Sequence, residues 1–354
     1  MITRIHAAAC AALLLSSPAL AQQPAAARGA VFPVASQMVW IDAVAVDSED
    51  RPVPSLGPED FEVVERGARQ PIILFRPPDP EATGRAAVFL IEDAFARDWH
   101  VERARELISR AASKALAGDR ILIVAPTSRV ATSTRLPEAA QELQAALGRV
   151  SAHSELARAA NDAAEIRRLN ESRIDALVAA IGALWGHAGP RAVVVMGPPC
   201  PYRADGPFGQ IAYDRVMRAS QQAAVPLYFL SWEDATSPLA QQEPVLGPDP
   251  GGEALRGVTP AVPMAGPTGP LGTLVFDAIG KDSGGFSGRA PTTWSWSLDR
   301  VFQRSRAAYL LGIPAAPDRW DGRYHPLDVR VAKDGVRLYA RKGYYAPKPE
   351  PKVP

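Results

Sequence analysis

Between Val39 and Val46 the chain alternates strictly: Val39, Ile41, Ala43 and Ala45 fall on one face, and Trp40, Asp42, Val44 and Val46 on the other. A period of two is the signature of a strand with unlike faces. Phe61-Glu62-Val63-Val64-Glu65 repeats it, and turn-forming runs at Asp47-Ser48-Glu49-Asp50-Arg51-Pro52 and Arg66-Gly67 separate the segments. Residues 37–76 therefore predict a β segment of about three strands.

The period changes at Ala86. Ala86-Ala87-Val88-Phe89-Leu90-Ile91 is apolar throughout, as a parallel strand covered on both faces must be. Val101, Ala104, Leu107, Ile108, Ala111, Ala112 and Ala115 then recur at helical spacing. Beyond them the pattern predicts strands at 121–125, 191–196 and 227–230, and helices at 137–147, 154–185, 211–224, 271–279 and 293–304. This alternation reads as an α/β domain over residues 84–306 with a doubly wound, mostly parallel sheet. Residues 233–270, rich in Pro and Gly and without periodicity, read as an exposed insertion.

The C-terminal segment, residues 307–346, returns to β structure, with strands at 308–313, 327–332 and 336–341 and a short tail at 347–354. The Lys333-Asp334-Gly335 turn predicts a hairpin between the last two strands. Neither β segment can bury a face by itself. The expectation is that the two ends pack as one small β-sandwich-like domain into which the α/β domain is inserted.

The first residues add a compartment. Arg4, the apolar run from Ala7 to Leu15 and the triplet Ala19-Leu20-Ala21 follow the order of a cleavable signal peptide, residues 1–21, ahead of a flexible stretch at 22–36. A periplasmic or extracellular protein is expected. Later apolar runs are all interrupted by Arg, Asp, Gly or Pro, so no integral membrane span is expected. Cys10 would leave with the leader, so Cys200 has no partner for an internal disulfide. A net charge of +1, from 39 basic and 38 acidic residues, gives no field to hold nucleic acid.

Two stretches narrow the class. At the C-terminal end stand Tyr309-Leu310-Leu311-Gly312, then Asp321-Gly322-Arg323-Tyr324-His325-Pro326-Leu327-Asp328-Val329-Arg330-Val331, then Gly335-Val336-Arg337-Leu338-Tyr339-Ala340-Arg341-Lys342-Gly343-Tyr344-Tyr345. Near the start stand Val44-Ala45-Val46-Asp47 and Leu56-Gly57-Pro58-Glu59-Asp60-Phe61-Glu62-Val63-Val64-Glu65-Arg66-Gly67. Together they closely resemble secreted von Willebrand factor A (vWA)-related domain proteins of the acidobacterial type. The resemblance implies a vWA-like α/β domain. In many such domains a divalent cation sits at the carboxyl edge of the sheet, held by an Asp-x-Ser-x-Ser loop, a Thr and an Asp in a metal-ion-dependent adhesion site.

In this chain each of the three elements is altered. Glu92-Asp93-Ala94-Phe95-Ala96 lacks the hydroxyls, the place of the Thr falls on or near Glu171, and Gly197-Pro198-Pro199-Cys200 replaces the loop that carries the Asp. Arg97 or Arg173 would put positive charge where a cation would sit. The resemblance thus implies a binder of another protein with a degenerate metal site and no cofactor. Its rim would be Glu92, Asp93, Arg97, Glu171, Ser172, Arg173, Gly197 and Arg203. The alternative keeps weak Mg or Ca binding by Glu92 and Asp93, with Glu171 or Ser172. Otherwise these acids are solvated or paired with Arg.

Gly285-Phe286-Ser287-Gly288 is followed by Arg289 and makes no G-x-S-x-G elbow; phosphate-loop and zinc-protease motifs are absent from the sequence. His100, His153, His187 and His325 lack ligand spacing and read as surface or capping residues, and Trp294 and Trp296 as core or interface aromatics. A hydrolase assembled from distant segments is the remaining catalytic alternative.

Overall fold

The apolar run Ala86–Ile91 forms strand β5, and all six of its residues are buried. It can be apolar on both faces because it lies in the middle of a six-stranded sheet of order β10-β9-β8-β5-β6-β7. The strands are β6 (Arg120–Ala125), β7 (Val130–Arg135), β8 (Arg191–Gly197), β9 (Leu227–Ser231) and β10 (Phe286–Gly288). All neighbours are parallel except β6 and β7.

A computed structural model describes residues 38–79, 84–153, 163–187, 189–197, 208–231, 271–288, 294–315 and 320–346. The proposed leader 1–21, the stretch 22–36, the insertion 233–270, the tail 347–354, Cys200 and Arg203 lie outside the described residues.

Helices cover both faces of the sheet. Ala87, Phe89 and Ile91 pack with α1 (Asp98–Ser113), α2 (Ala140–Gly148) and α6 (Trp294–Arg306). Ala86, Val88 and Leu90, which point the other way, pack with α3 (Ala163–Gly182), α4 (Phe208–Ala223) and α5 (Leu271–Asp282). The period of two along one strand thus supplies two separate cores. None of these helices is long and apolar enough to cross a membrane, among the described residues.

Two antiparallel sheets complete the fold. One has the order β13-β1-β11-β4, from Arg337–Ala340, Met38–Val46, Ala308–Pro314 and Leu74–Arg76. The other has the order β14-β12-β2-β3, from Gly343–Tyr345, Tyr324–Val331, Phe61–Glu65 and Ala68–Gln70. Both sheets mix strands from the beginning and the end of the chain, and they share one core containing Ile41, Val63, Leu311 and Val329. At its other face β1 buries Val44 and Val46 against Ala307, which is why its polar phase also carries valines.

Several elements differ from the sequence reading, among them the short strands β10 and β14, which fall where no strand was expected. Lys333-Asp334-Gly335 does not close a hairpin: β12 pairs with β14 through Tyr324–Pro326 and with β2 through Leu327–Val331, while β13 pairs with β1. Strand β7 falls in a stretch without an assignment. Its alternation of Val130 and Thr134 with exposed Ala131, Ser133 and Arg135 is that of a weakly apolar edge strand. Helix α2 begins at Ala140, after a turn that includes Pro137.

Candidate functional site at the carboxyl edge of the sheet

Strand β5 ends by delivering Glu92 to the carboxyl edge, where its side chain is 5% exposed. A carboxylate so placed needs a partner, because desolvation opposes its charge. Arg173 reaches it from α3, donating from Nε to Oε1 at 2.8 Å and from Nη2 to Oε2, a two-pronged match of guanidinium and carboxylate. The guanidinium also lies 5.2 Å from the ring centroid of Phe276 on α5. Gly197, at the end of β8, closes the third side. A Cβ there would stand 1.9 Å from Glu92 Oε2, so the absence of a side chain is what lets the carboxylate turn toward Arg173.

Asp93, adjacent in sequence, does different work. Its carboxylate accepts backbone hydrogen bonds from Thr127 at 3.1 Å and Ser128 at 2.5 Å, and its carbonyl accepts one from His153. It ties the turn between β6 and β7 to the start of the short 3-10 helix Asp93–Phe95. Arg97 is exposed at the N-cap of α1, where its backbone N–H donates to Nδ1 of His100. Glu171 and Ser172 are exposed while Arg173 is buried, since consecutive helical residues point about 100° apart. The edge therefore brings Glu92, Arg173 and Gly197 together, sends Asp93 elsewhere, and leaves Arg97, Glu171 and Ser172 facing solvent.

Beside the ion pair is a cavity of about 20 Å³ lined by Ser231, Asp277 and Ser287 as well as Glu92 and Arg173. That is room for about one water molecule. Of the acids that the sequence offered at this edge, Glu92 is held by a guanidinium and Asp93 by two amides, and Gly197 has no ligand to offer. Among the described residues no three His, Cys, Asp or Glu side chains converge as a metal site would require. What the arrangement does is neutralise the Glu92 carboxylate with a side-chain guanidinium.

Sequence reasoning missed the exposed aromatic and aliphatic groups at this edge. Trp99, in the first turn of α1, is 42% exposed, and Ile211, near the start of α4, is 53% exposed. α1 follows β5, and α4 leads back to the start of β9, which is parallel to β8, so the first turns of both helices lie toward the carboxyl edge. Trp294 is core, with its Nε1–H donating to the Ser231 carbonyl at 3.0 Å. Nor is His325 a surface residue. It is buried in β12, with Nδ1 2.8 Å from Glu65 Oε1 and Nε2 3.0 Å from Asp321 Oδ1. Two partners separated from it by 260 and 4 positions leave no readable spacing.

Fold and edge define a mixed α/β protein with a mostly parallel six-stranded sheet and additional antiparallel sheets. No protein-family model matches the chain, and no curated protein matches it.

Proposed function

We propose that this chain is an exported vWA-related protein that binds another protein through the carboxyl edge of its central sheet, without a metal ion and without catalysis. The observation that carries the reading is the buried Glu92–Arg173 pair: a guanidinium occupies the charge that a divalent cation would supply in an adhesion site of this kind. Gly197 supports it, because its Cα-only backbone makes space for that pair rather than for a third ligand. Trp99 and Ile211 provide the apolar contact area of a docking rim, with Arg97, Glu171 and Ser172 as its polar part. Export rests on the resemblance and on the Arg4-to-Ala21 pattern.

The test is capture of a partner from the exported fraction, with chelator and with magnesium, by the wild type and by Trp99→Ser and Glu171→Lys. Equal capture under both conditions, lost in the two variants, is the expected result. Capture that requires the cation, or that survives both substitutions, contradicts the proposal.

A further inference from the structure

A second cleft lies at the opposite, amino edge of the same sheet. It opens between the segments that lead into β8 and β9, represented by Arg191 and Pro226, and the outer face of β1, represented by Asp42 and Val44. Its volume is about 470 Å³, within the range of small-molecule sites. The charged residues that line it are Arg76, Arg191, Arg304, Arg306, Asp42 and Asp79, an excess of two positive charges.

Arg304 is the decisive member. It is 3% exposed, its guanidinium stacks 3.7 Å from the Tyr339 ring centroid and 5.0 Å from that of Phe286, and Nη2 stands 3.7 Å from Asp50 Oδ1. The stacking fixes the plane of the group and leaves its edge unused: Nε and Nη1 are buried and donate to no described residue. Arg306 Nε, also lining the cleft, is in the same condition. Buried donors of this kind are rare because each has given up water. Asp42 is a poor internal partner, since burial pushes its carboxyl above the usual range, although Arg341 and Arg191 pull it back. Burial also disfavours the charged form of Arg304.

We infer that this cleft binds a small dianion bearing carboxylate or phosphoryl oxygens, with Arg304 and Arg306 at its floor and Arg191 and Arg76 toward its mouth. Guanidinium forks match both oxygen geometries, and a dianion balances the surplus charge. The site is separate from the docking rim, because the two lie at opposite ends of the strands.

Calorimetric titration and thermal melting of the purified chain, in a buffer free of both groups, test it with inorganic phosphate in one arm and succinate in the other. The expected result is saturable binding in at least one arm, and the responding arm assigns the ligand as phosphoryl or carboxylate. Arg191→Gln and Arg76→Gln, each melting like the wild type without ligand, are expected to bind about tenfold more weakly or worse. Glu142→Gln, exposed on α2 and away from the cleft, is expected to bind normally. No saturable response to either probe overturns the inference, and so does undiminished binding in both arginine variants. Arg304→Ala is informative only if its circular dichroism matches the wild type, so the two partly solvated arginines carry the test.

Discussion

At the carboxyl edge of the six-stranded sheet, Glu92 and Arg173 neutralise each other beside a cavity of about 20 Å³; at the amino edge, Arg304 is buried with two nitrogens unused beside about 470 Å³. The same sheet thus closes one end with an internal ion pair and keeps surplus charge at the other. Position along the strands does not decide this, because the amino edge also contains a closed pair. There Arg85, ahead of β5, donates from its backbone N–H and its Nε to the two oxygens of Asp119, each at 3.0 Å. What differs is whether the guanidinium has a carboxylate of its own. Arg85 and Arg173 each have one, whereas Arg304 shares Asp50 with Arg300 and Arg337.

The largest effect is expected from breaking the closed end. Arg173→Ala leaves Glu92 buried and unpaired, and urea denaturation is expected to show a loss of about 3–5 kcal/mol. The double change Glu92→Met with Arg173→Met removes both charges and is expected to recover most of that loss. A cost under about 1 kcal/mol for the single variant would mean that the pair is solvated.

Asp119→Asn applies the same break to the amino edge, with an expected cost of about 3 kcal/mol. Burial alone would raise the Asp119 carboxyl, but its hydrogen bonds from Arg85 and from Leu116 hold it below the usual carboxylate range. A depressed carboxyl contributes stability that is complete above the unfolded value and lost as pH falls through the folded one. The wild type is therefore expected to lose stability below about pH 3.8, and Asp119→Asn to lack that share of the acid dependence. Denaturation midpoints across that window check the sign.

Gly197→Ala tests the closure sterically. The new Cβ would meet Glu92 Oε2, so the pair must shift, at a cost of about 1–3 kcal/mol in the same denaturation assay. The smallest effect is expected at the exposed rim, where Glu171→Ala or Ser172→Ala should change stability by less than about 0.5 kcal/mol. A larger change at either position would move it from the rim into the supporting structure.

Legibility followed the range of the interactions. Strand β5 and helix α1 are readable because their periods reflect contacts repeated every two to four positions. Glu92 is readable as an acid at a strand end, but its pairing with Arg173 spans 81 positions and follows no spacing rule. Strand β7 escapes because an edge strand needs little apolar content, and Ala131, Thr132 and Ser133 carry almost none. The pairing of β13 with β1 rather than β12 joins residues nearly 300 positions apart, which the Asp334-Gly335 turn does not encode. Arg304 is hardest: its sequence surroundings, Phe302-Gln303-Arg304-Ser305-Arg306, read as an ordinary helix end, and only the tertiary fold brings Tyr339 and Asp42 near it.

The most direct measurement is the melting temperature of the chain in chelator compared with millimolar calcium or magnesium. A ligand that binds only the folded state must raise it. The same melting temperature is expected in all three conditions, because Arg173 already neutralises Glu92. A saturable rise with either cation, abolished by Glu92→Gln, would contradict it.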